Sequence, residues 1–184
     1  HHISSILHTI RSRCIKFKLD IPDKDKFNEI LESCSQDIKH QDIDFLYHIS
    51  NASPGLALDI NSEKISFLFE SIYNILKINN NNENSEIFKL ADFVNNFSNE
   101  EFRIFLMILR FILLNSIKIN LGIETAQILC NQVSYNISKI KLDNLNILNI
   151  LDYLSKNEGD LFNYNLDKKI FCLNIFIPLK KSYE

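Results

Sequence analysis

Residues that interrupt helices are scarce in this chain, which holds only 3 glycines and 3 prolines among its 184 residues. Folds built from many short strands need many turns, and turns draw heavily on glycine and proline. The scarcity of both therefore favours long helices, and the sequence predicts an all-α protein. Hydrophobic residues make up 46% of the chain and charged residues 23%, so the chain can bury a core and is unlike disordered sequences.

The charge balance argues against a large nucleic-acid-binding surface. The 20 basic and 23 acidic residues give a formal net charge of -3, and no long basic run occurs. A broad phosphate-binding surface is therefore not expected. We interpret the two lysine pairs at 168–169 and 180–181 as solvated surface.

Metal chemistry is not predicted either. The four cysteines lie far apart, without a Cys-x-x-Cys pair, at Cys14, Cys34, Cys130 and Cys172. Zinc sites need closer ligands. Isolated cysteines in helices are usually small buried hydrophobes, which fits a reducing compartment.

Other polar pairs are interpreted as structural. Asp42 and Asp44, at positions i and i+2 of a helix, point in different directions and are assigned to helix-start electrostatics. His40 and His48 are interpreted as structural rather than as metal ligands.

The most apolar stretch, residues 104–114, is too short to span a membrane. A spanning helix needs roughly 20 apolar residues, and Arg110 interrupts this stretch. The N-terminus lacks the charged region and apolar core of a signal peptide. We therefore predict a buried core helix, no contact with a membrane and a cytoplasmic location.

Near the N-terminus the apolar residues change their period. A short helix through residues 6–13 is followed by Ile15, Phe17 and Leu19, which alternate with lysines as in a half-exposed strand. The rest of the chain is predicted to be helical, and a lone strand cannot satisfy its backbone groups. We therefore expect the chain to begin inside a domain whose earlier strands are missing.

Three short helices are predicted for residues 20–61. Pro22 and its aspartate neighbours mark a helix start. The break at 51–55 places Ser53 as a cap and Pro54 at the first helical position. A small three-helix bundle is the expected result.

Longer helices are predicted from residue 62 onward. Ser98 and Glu101 form a capping-box pattern at the head of the most apolar helix, and Gly122 ends that helix. Polar loops are expected at 79–84 and 157–160. The six predicted helices begin and end near 62–78, 85–97, 98–119, 123–140, 143–156 and 166–179, which corresponds to a bundle of five or six helices.

Two short motifs carry a family resemblance. Residues 9–14, Thr-Ile-Arg-Ser-Arg-Cys, together with the alternating run after them, resemble the Ser-Arg-Cys motif of the clamp-loader branch of the AAA+ ATPases. Residues 53–58, Ser-Pro-Gly-Leu-Ala-Leu, resemble the delta-prime family of bacterial DNA polymerase III clamp-loader subunits. Residues 165–169 match the last helix of that family more weakly.

The resemblance implies a fold and a division into domains. Residues 1–19 would be the end of an AAA+ core with its last strand. Residues 20–61 would be the three-helix lid domain, and residues 62–184 the C-terminal collar bundle, through which clamp-loader subunits assemble.

The resemblance also implies which residues act. Arg13 would be an arginine finger that reaches the nucleotide of a neighbouring subunit, while Ser12 and Cys14 position the turn. ATP-hydrolysing relatives place an arginine where this chain has Gly55. Since the chain also lacks a phosphate-binding glycine-rich loop, it is not expected to bind a cofactor or to be an enzyme by itself.

The implied partners are the gamma or tau subunits and the delta subunit of the clamp loader, bound through the C-terminal bundle. The sliding clamp and primed DNA would be reached indirectly. Two alternatives stay open: an ATP-hydrolysing AAA+ relative, and a helical interaction scaffold unrelated to replication, in which Arg13 is an ordinary surface arginine.

Overall fold

The computed structural model describes residues 8–15, 17, 19–34, 43–60, 63–77, 83–123, 128–130 and 133–181. Helices dominate these residues, so the predicted all-α class is confirmed. The helices are α1 (His8–Arg11), α2 (Lys24–Cys34), α3 (Ile43–Ile49), α4 (Pro54–Ile60), α5 (Glu63–Leu76), α6 (Glu83–Asn95), α7 (Asn99–Asn120), α8 (Asn144–Asn163) and α9 (Lys168–Lys181). Between α7 and α8 lie two short strands, β1 (Ile128–Cys130) and β2 (Val133–Tyr135), and a 3-10 turn (Ile137–Lys139).

Local signals fix both ends of α7. The Ser98 hydroxyl accepts a hydrogen bond from the Glu101 amide at 3.1 Å, and the Glu101 carboxylate accepts one from the Ser98 amide at 2.8 Å. At the other end Gly122 has φ +73°, which favours glycine, and the Ile123 amide donates to the Lys118 carbonyl at 2.8 Å. The predicted capping box and glycine stop are both confirmed.

Helix α7 lies at the centre of the bundle. It contacts α3, α5, α8 and the 3-10 turn. Its fully buried side chains within the stretch suspected as a membrane segment are Phe105, Leu106, Ile108, Leu109, Ile112 and Leu113. Among the helices described, none is both long and apolar enough to cross a membrane.

The three short helices predicted for 20–61 are confirmed as α2, α3 and α4, which pack against one another. Asp23 caps α2 by accepting a hydrogen bond from the Lys26 amide at 2.9 Å, and this bond holds the pKa of Asp23 below its ordinary value. The Tyr47 ring packs edge-on against Phe27, with ring centroids 5.2 Å apart. Helix α4 begins at Pro54, as predicted.

A cluster of rings, here called the aromatic junction, joins the three short helices to the long ones. It consists of Phe45 of α3, Phe69 and Tyr73 of α5, Phe111 of α7 and Tyr135 of β2. Ring centroids lie 5.5 Å apart for Phe45–Phe69, 5.6 Å for Phe45–Phe111 and 4.8 Å for Phe69–Tyr135. These rings belong to a single hydrophobic core that runs from α2 to α9.

Residues 62–181 contain five α-helices among the residues described, α5 to α9, and α6 packs along α9. The start of α9 is bound to α6 by two lysines. Lys168 donates a hydrogen bond to the Phe97 carbonyl at 2.6 Å, and Lys169 forms an ion pair with Asp92 at 2.5 Å. The prediction that 168–169 is merely solvated surface is therefore wrong. The side chains of 180–181 lie outside the described residues.

The helix predicted over 123–140 is wrong. In its place β1 and β2 pair antiparallel, with Ile128 opposite Tyr135. Tyr135 is buried against Phe69, and the Asn136 side chain caps the 3-10 turn by accepting from the Ser138 amide at 3.0 Å. Helical propensity is a weak preference, and the burial of Tyr135 in the aromatic junction overrides it here.

The loop predicted at 157–160 is also wrong, because α8 continues through it, including Gly159. Glycine costs about 1 kcal/mol inside a helix. Contacts on both sides offset that cost: Leu154 and Leu161 are buried, and Glu158 forms an ion pair with Arg110 of α7.

No strand is found at Ile15, Phe17 and Leu19, the described residues of the predicted 15–19 strand. A strand needs a neighbour to hydrogen-bond with. Among the described residues the only strands are β1 and β2, and these pair with each other. The alternating pattern therefore has no ladder to join within this part of the chain.

Candidate functional site

Arg13, the predicted arginine finger, lies in the turn that follows α1. Its amide donates to the Ile10 carbonyl at 3.0 Å, which closes the turn. Its side chain is exposed, and no carboxylate in the described part of the chain pairs with it. No described carboxylate therefore competes with an outside group for the guanidinium.

Ser12 and Cys14 flank Arg13, and both are exposed. The Ser12 hydroxyl donates a hydrogen bond to the Thr9 carbonyl at 3.1 Å, across the end of α1. This bond suits the positioning role predicted for Ser12. The described residues near Cys14 supply no base that could activate its thiol, so nothing in this geometry suggests a nucleophile.

The segment after the turn leaves its apolar side chains uncovered. Ile15, Phe17 and Leu19 are 84%, 86% and 90% exposed, respectively. Single exposed apolar residues are normal on protein surfaces, whereas here three occur within five positions, and we call them the exposed stripe. The stripe directly follows Arg13.

Gly55 occupies the second position of α4, on the surface. A Cβ atom built there meets no other atom within 4 Å, and its φ is not positive. Neither packing nor backbone geometry therefore requires glycine at this position. The position has room for the Cβ atom of another residue.

The remaining candidate residues that the structure describes make contacts within the fold. Asp44 in the first turn of α3 forms an ion pair with Lys24, and His48 lies edge-on to the Tyr47 ring at 5.5 Å. Asp42 and His40 lie outside the described residues. Across the described ranges, no group of three or more histidine, cysteine or acidic side chains is placed to hold a metal ion.

Sequence patterns did not predict a groove between α5 and α6, which encloses about 370 Å³. Helix α5 lines it with Phe67, Ser71, Asn74 and Ile75. Helix α6 lines it with Glu86, Lys89, Leu90 and Phe93. We refer to it as the α5–α6 groove. The available signal was Phe67, a large aromatic residue that is 53% exposed on α5.

The reactivity of the cysteine thiols tests which of these side chains the fold buries. Burial raises the pKa of the Cys172 thiol to about 12, so at neutral pH that thiol is protonated as well as shielded. In a Cys130→Ser variant, which removes the one thiol whose surroundings are not described, we expect Cys14 and Cys34 to react rapidly with a disulfide reagent. Cys172 should react only after unfolding, because the reactive thiolate is not accessible in the fold. Three fast thiols in the native protein would contradict the buried position of Cys172.

The comparisons with known proteins yield no relative. No protein-family model matches the chain, and no curated protein or solved structure is significantly similar to it. The clamp-loader hypothesis therefore depends on the motifs at 9–14 and 53–58 and on the placement of Arg13 and Gly55.

Proposed function

We propose that this chain is the C-terminal part of a non-hydrolysing clamp-loader subunit of the delta-prime type. In this proposal it belongs to the DNA polymerase III holoenzyme and helps to load the sliding clamp onto primed DNA. It is no enzyme by itself. It supplies Arg13 to the ATP site of a neighbouring gamma or tau subunit.

The observation that carries this proposal is the state of Arg13, an exposed guanidinium without a carboxylate partner among the described residues. An arginine finger must be free to bind phosphate oxygens that another polypeptide holds. The planar guanidinium can donate two parallel hydrogen bonds to such oxygens as charge develops on them. The turn closed by the Arg13 amide, with the Ser12 hydroxyl bound to the Thr9 carbonyl, would hold the base of that side chain in place.

Two further features support the proposal. Gly55 stands where ATP-hydrolysing relatives have an arginine, although a Cβ atom at this position would meet no other atom within 4 Å. The glycine is therefore better explained by a subunit that does not sense a nucleotide of its own than by packing. The three short helices α2–α4 would be the lid, and α5–α9 the collar bundle.

The exposed stripe at Ile15, Phe17 and Leu19 also suits the proposal. In an AAA+ core this segment would be the last strand of a sheet, with its apolar face covered by the remainder of the core. The segment forms no strand here, and the exposure of its three apolar side chains is what we expect of it in the absence of those neighbours.

Assembly is the direct test of this function. The full-length gene product should co-purify with the gamma or tau and delta subunits of the same organism in a complex that is stable to gel filtration. An unrelated helical bundle of similar size and charge serves as the control. The absence of any complex at micromolar concentrations would contradict the proposal.

The second candidate is a helical interaction scaffold unrelated to replication, favoured by the exposed rings of the α5–α6 groove. It predicts that the chain binds a partner helix but none of the clamp-loader subunits. An ATP-hydrolysing relative is disfavoured, because this chain has Gly55 instead of the sensing arginine.

A further inference from the structure

The α5–α6 groove has an apolar floor and an aromatic end. Ile75 and Leu90 are buried at the floor. Phe67 and Phe93 meet edge to face at one end, with ring centroids 5.2 Å apart. These two rings are nevertheless 53% and 38% exposed, so much of their apolar surface faces solvent. Aromatic rings that line an open concave surface are typical of recognition sites.

The polar side chains of the groove are uncommitted. Ser71, Asn74, Glu86 and Lys89 form no hydrogen bond or ion pair with any residue that the structure describes. By contrast, Asp92, one turn further along α6, is paired with Lys169. The α6 side of the groove thus presents one free negative and one free positive charge, three residues apart.

The dimensions of the groove suit a helix. Its lining spans positions 67–75 of α5 and 86–93 of α6, which at 1.5 Å per residue is about 10–12 Å. Apolar side chains at positions i, i+4 and i+7 of a bound helix cover the same length. Two turns of a partner helix would therefore extend along the whole length of the groove.

The openness of the groove argues against a small molecule. Small-molecule sites bury about 70–90% of the ligand surface. A groove whose end rings are themselves about half exposed covers one side of an occupant only. An amphipathic helix needs no more than that, because its polar face stays in solvent.

We propose that the α5–α6 groove binds an amphipathic helix of a partner protein. The helix inserts apolar side chains at i, i+4 and i+7 between Phe67 and Ile75. It places a basic side chain opposite Glu86 and an acidic side chain opposite Lys89. This inference uses neither Arg13 nor the clamp-loader resemblance, so it can fail or succeed independently of the proposed function.

The test is selection from a displayed library of 15-residue helical peptides, randomised at the inward positions and at their charged neighbours. We expect enriched peptides to carry apolar residues at i, i+4 and i+7. Phe67→Ala and Ser71→Arg should each weaken their binding by about tenfold or more, because one removes a ring and the other fills the groove. Circular dichroism verifies that both variants remain folded.

Phe88→Ala is the matched control, since Phe88 is a phenylalanine of α6 that is 46% exposed and lies outside the groove. This variant should bind the peptides like the unaltered protein. Lys89→Glu should favour peptides whose acidic neighbour is replaced by lysine.

Three outcomes would overturn the inference. The first is a selection without helical peptides, or one whose peptides bind the groove variants normally. The second is binding of an apolar dye such as anilinonaphthalene sulfonate at the groove without any peptide binding. The third is self-association of the protein that Phe67→Ala abolishes, which would make a second copy the occupant.

Discussion

Phe69→Ala is expected to lower the free energy of unfolding by about 3–5 kcal/mol, as measured by urea denaturation. Phe69 is fully buried, and its ring packs against Phe45 of α3 and Tyr135 of β2. Truncation removes apolar contacts, leaves a cavity and breaks one edge-on and one tilted ring pair, each worth about 0.5–1.5 kcal/mol beyond burial. Because domains are stable by only about 5–15 kcal/mol, this variant should be close to unfolding.

Two variants serve as controls for the role of Phe69. Phe69→Leu keeps most of the volume but loses both ring pairs, so it should cost about 1–3 kcal/mol, less than Phe69→Ala. Phe88→Ala, at a half-exposed site, should change the stability by less than the error of the measurement. A loss below about 1 kcal/mol for Phe69→Ala would show that the aromatic junction does not hold the short and long helices together.

The urea unfolding curve of the unaltered protein shows whether the short and the long helices unfold together. If α2–α4 and α5–α9 share one core, circular dichroism and tyrosine fluorescence should report the same midpoint in the unaltered protein. Tyr73 and Tyr135 pack against each other in the junction and contribute to this fluorescence together with the other four tyrosines of the chain. Two separate midpoints would indicate independently folding domains with a boundary near 61–62, as the sequence predicts.

The features that the sequence predicted correctly depend on residues close together in the chain. Ser98 and Glu101 are three positions apart, and together they specify the start of α7. Gly122 and Pro54 act through their own backbone preferences. The all-α class follows from composition alone. Signals that act over a few positions can be interpreted without knowing which helices pack against each other.

The features that were missed are decided by contacts distant in sequence. The apolar residues of 123–140 fit a helical period, but Tyr135 pairs with rings more than 60 positions earlier and the chain forms a hairpin instead. Likewise, Gly159 looks like a helix end until Glu158 is seen paired with Arg110, 48 positions away. Local propensity cannot anticipate either contact.

The candidate sites divide in the same way. The turn at Arg13 could be proposed as a site from a short motif, because the residues of that motif all lie within 9–14. The α5–α6 groove could not be found from sequence, since it exists only in the space between two helices. Similarly, Lys168 was assigned to solvent although its ammonium group binds the Phe97 carbonyl, 71 positions away.

The second large effect is expected for Arg13→Ala in a clamp loader reconstituted with the full-length protein. If Arg13 completes the neighbour's ATP site as proposed, hydrolysis at that site should slow by a factor on the order of 10³, because arginine fingers stabilise charge on the transferred phosphoryl group. The other ATP sites of the loader keep their own fingers. The sharpest measurement is therefore the first turnover: the variant loader should hydrolyse one ATP fewer in its burst phase when primed DNA and clamp are added.

The controls separate a missing finger from a damaged subunit. The variant should assemble with its partners normally, since Arg13 is exposed and makes no described contact whose loss would unfold the turn. Arg13→Lys keeps the charge but loses the planar pair of donors, so it should restore only a small part of the rate. Arg11→Ala, two positions away, alters the same motif without removing the predicted finger and should retain the full burst. A normal burst in Arg13→Ala would remove the finger assignment, because a guanidinium that reaches the neighbour's phosphate cannot be deleted without slowing that site.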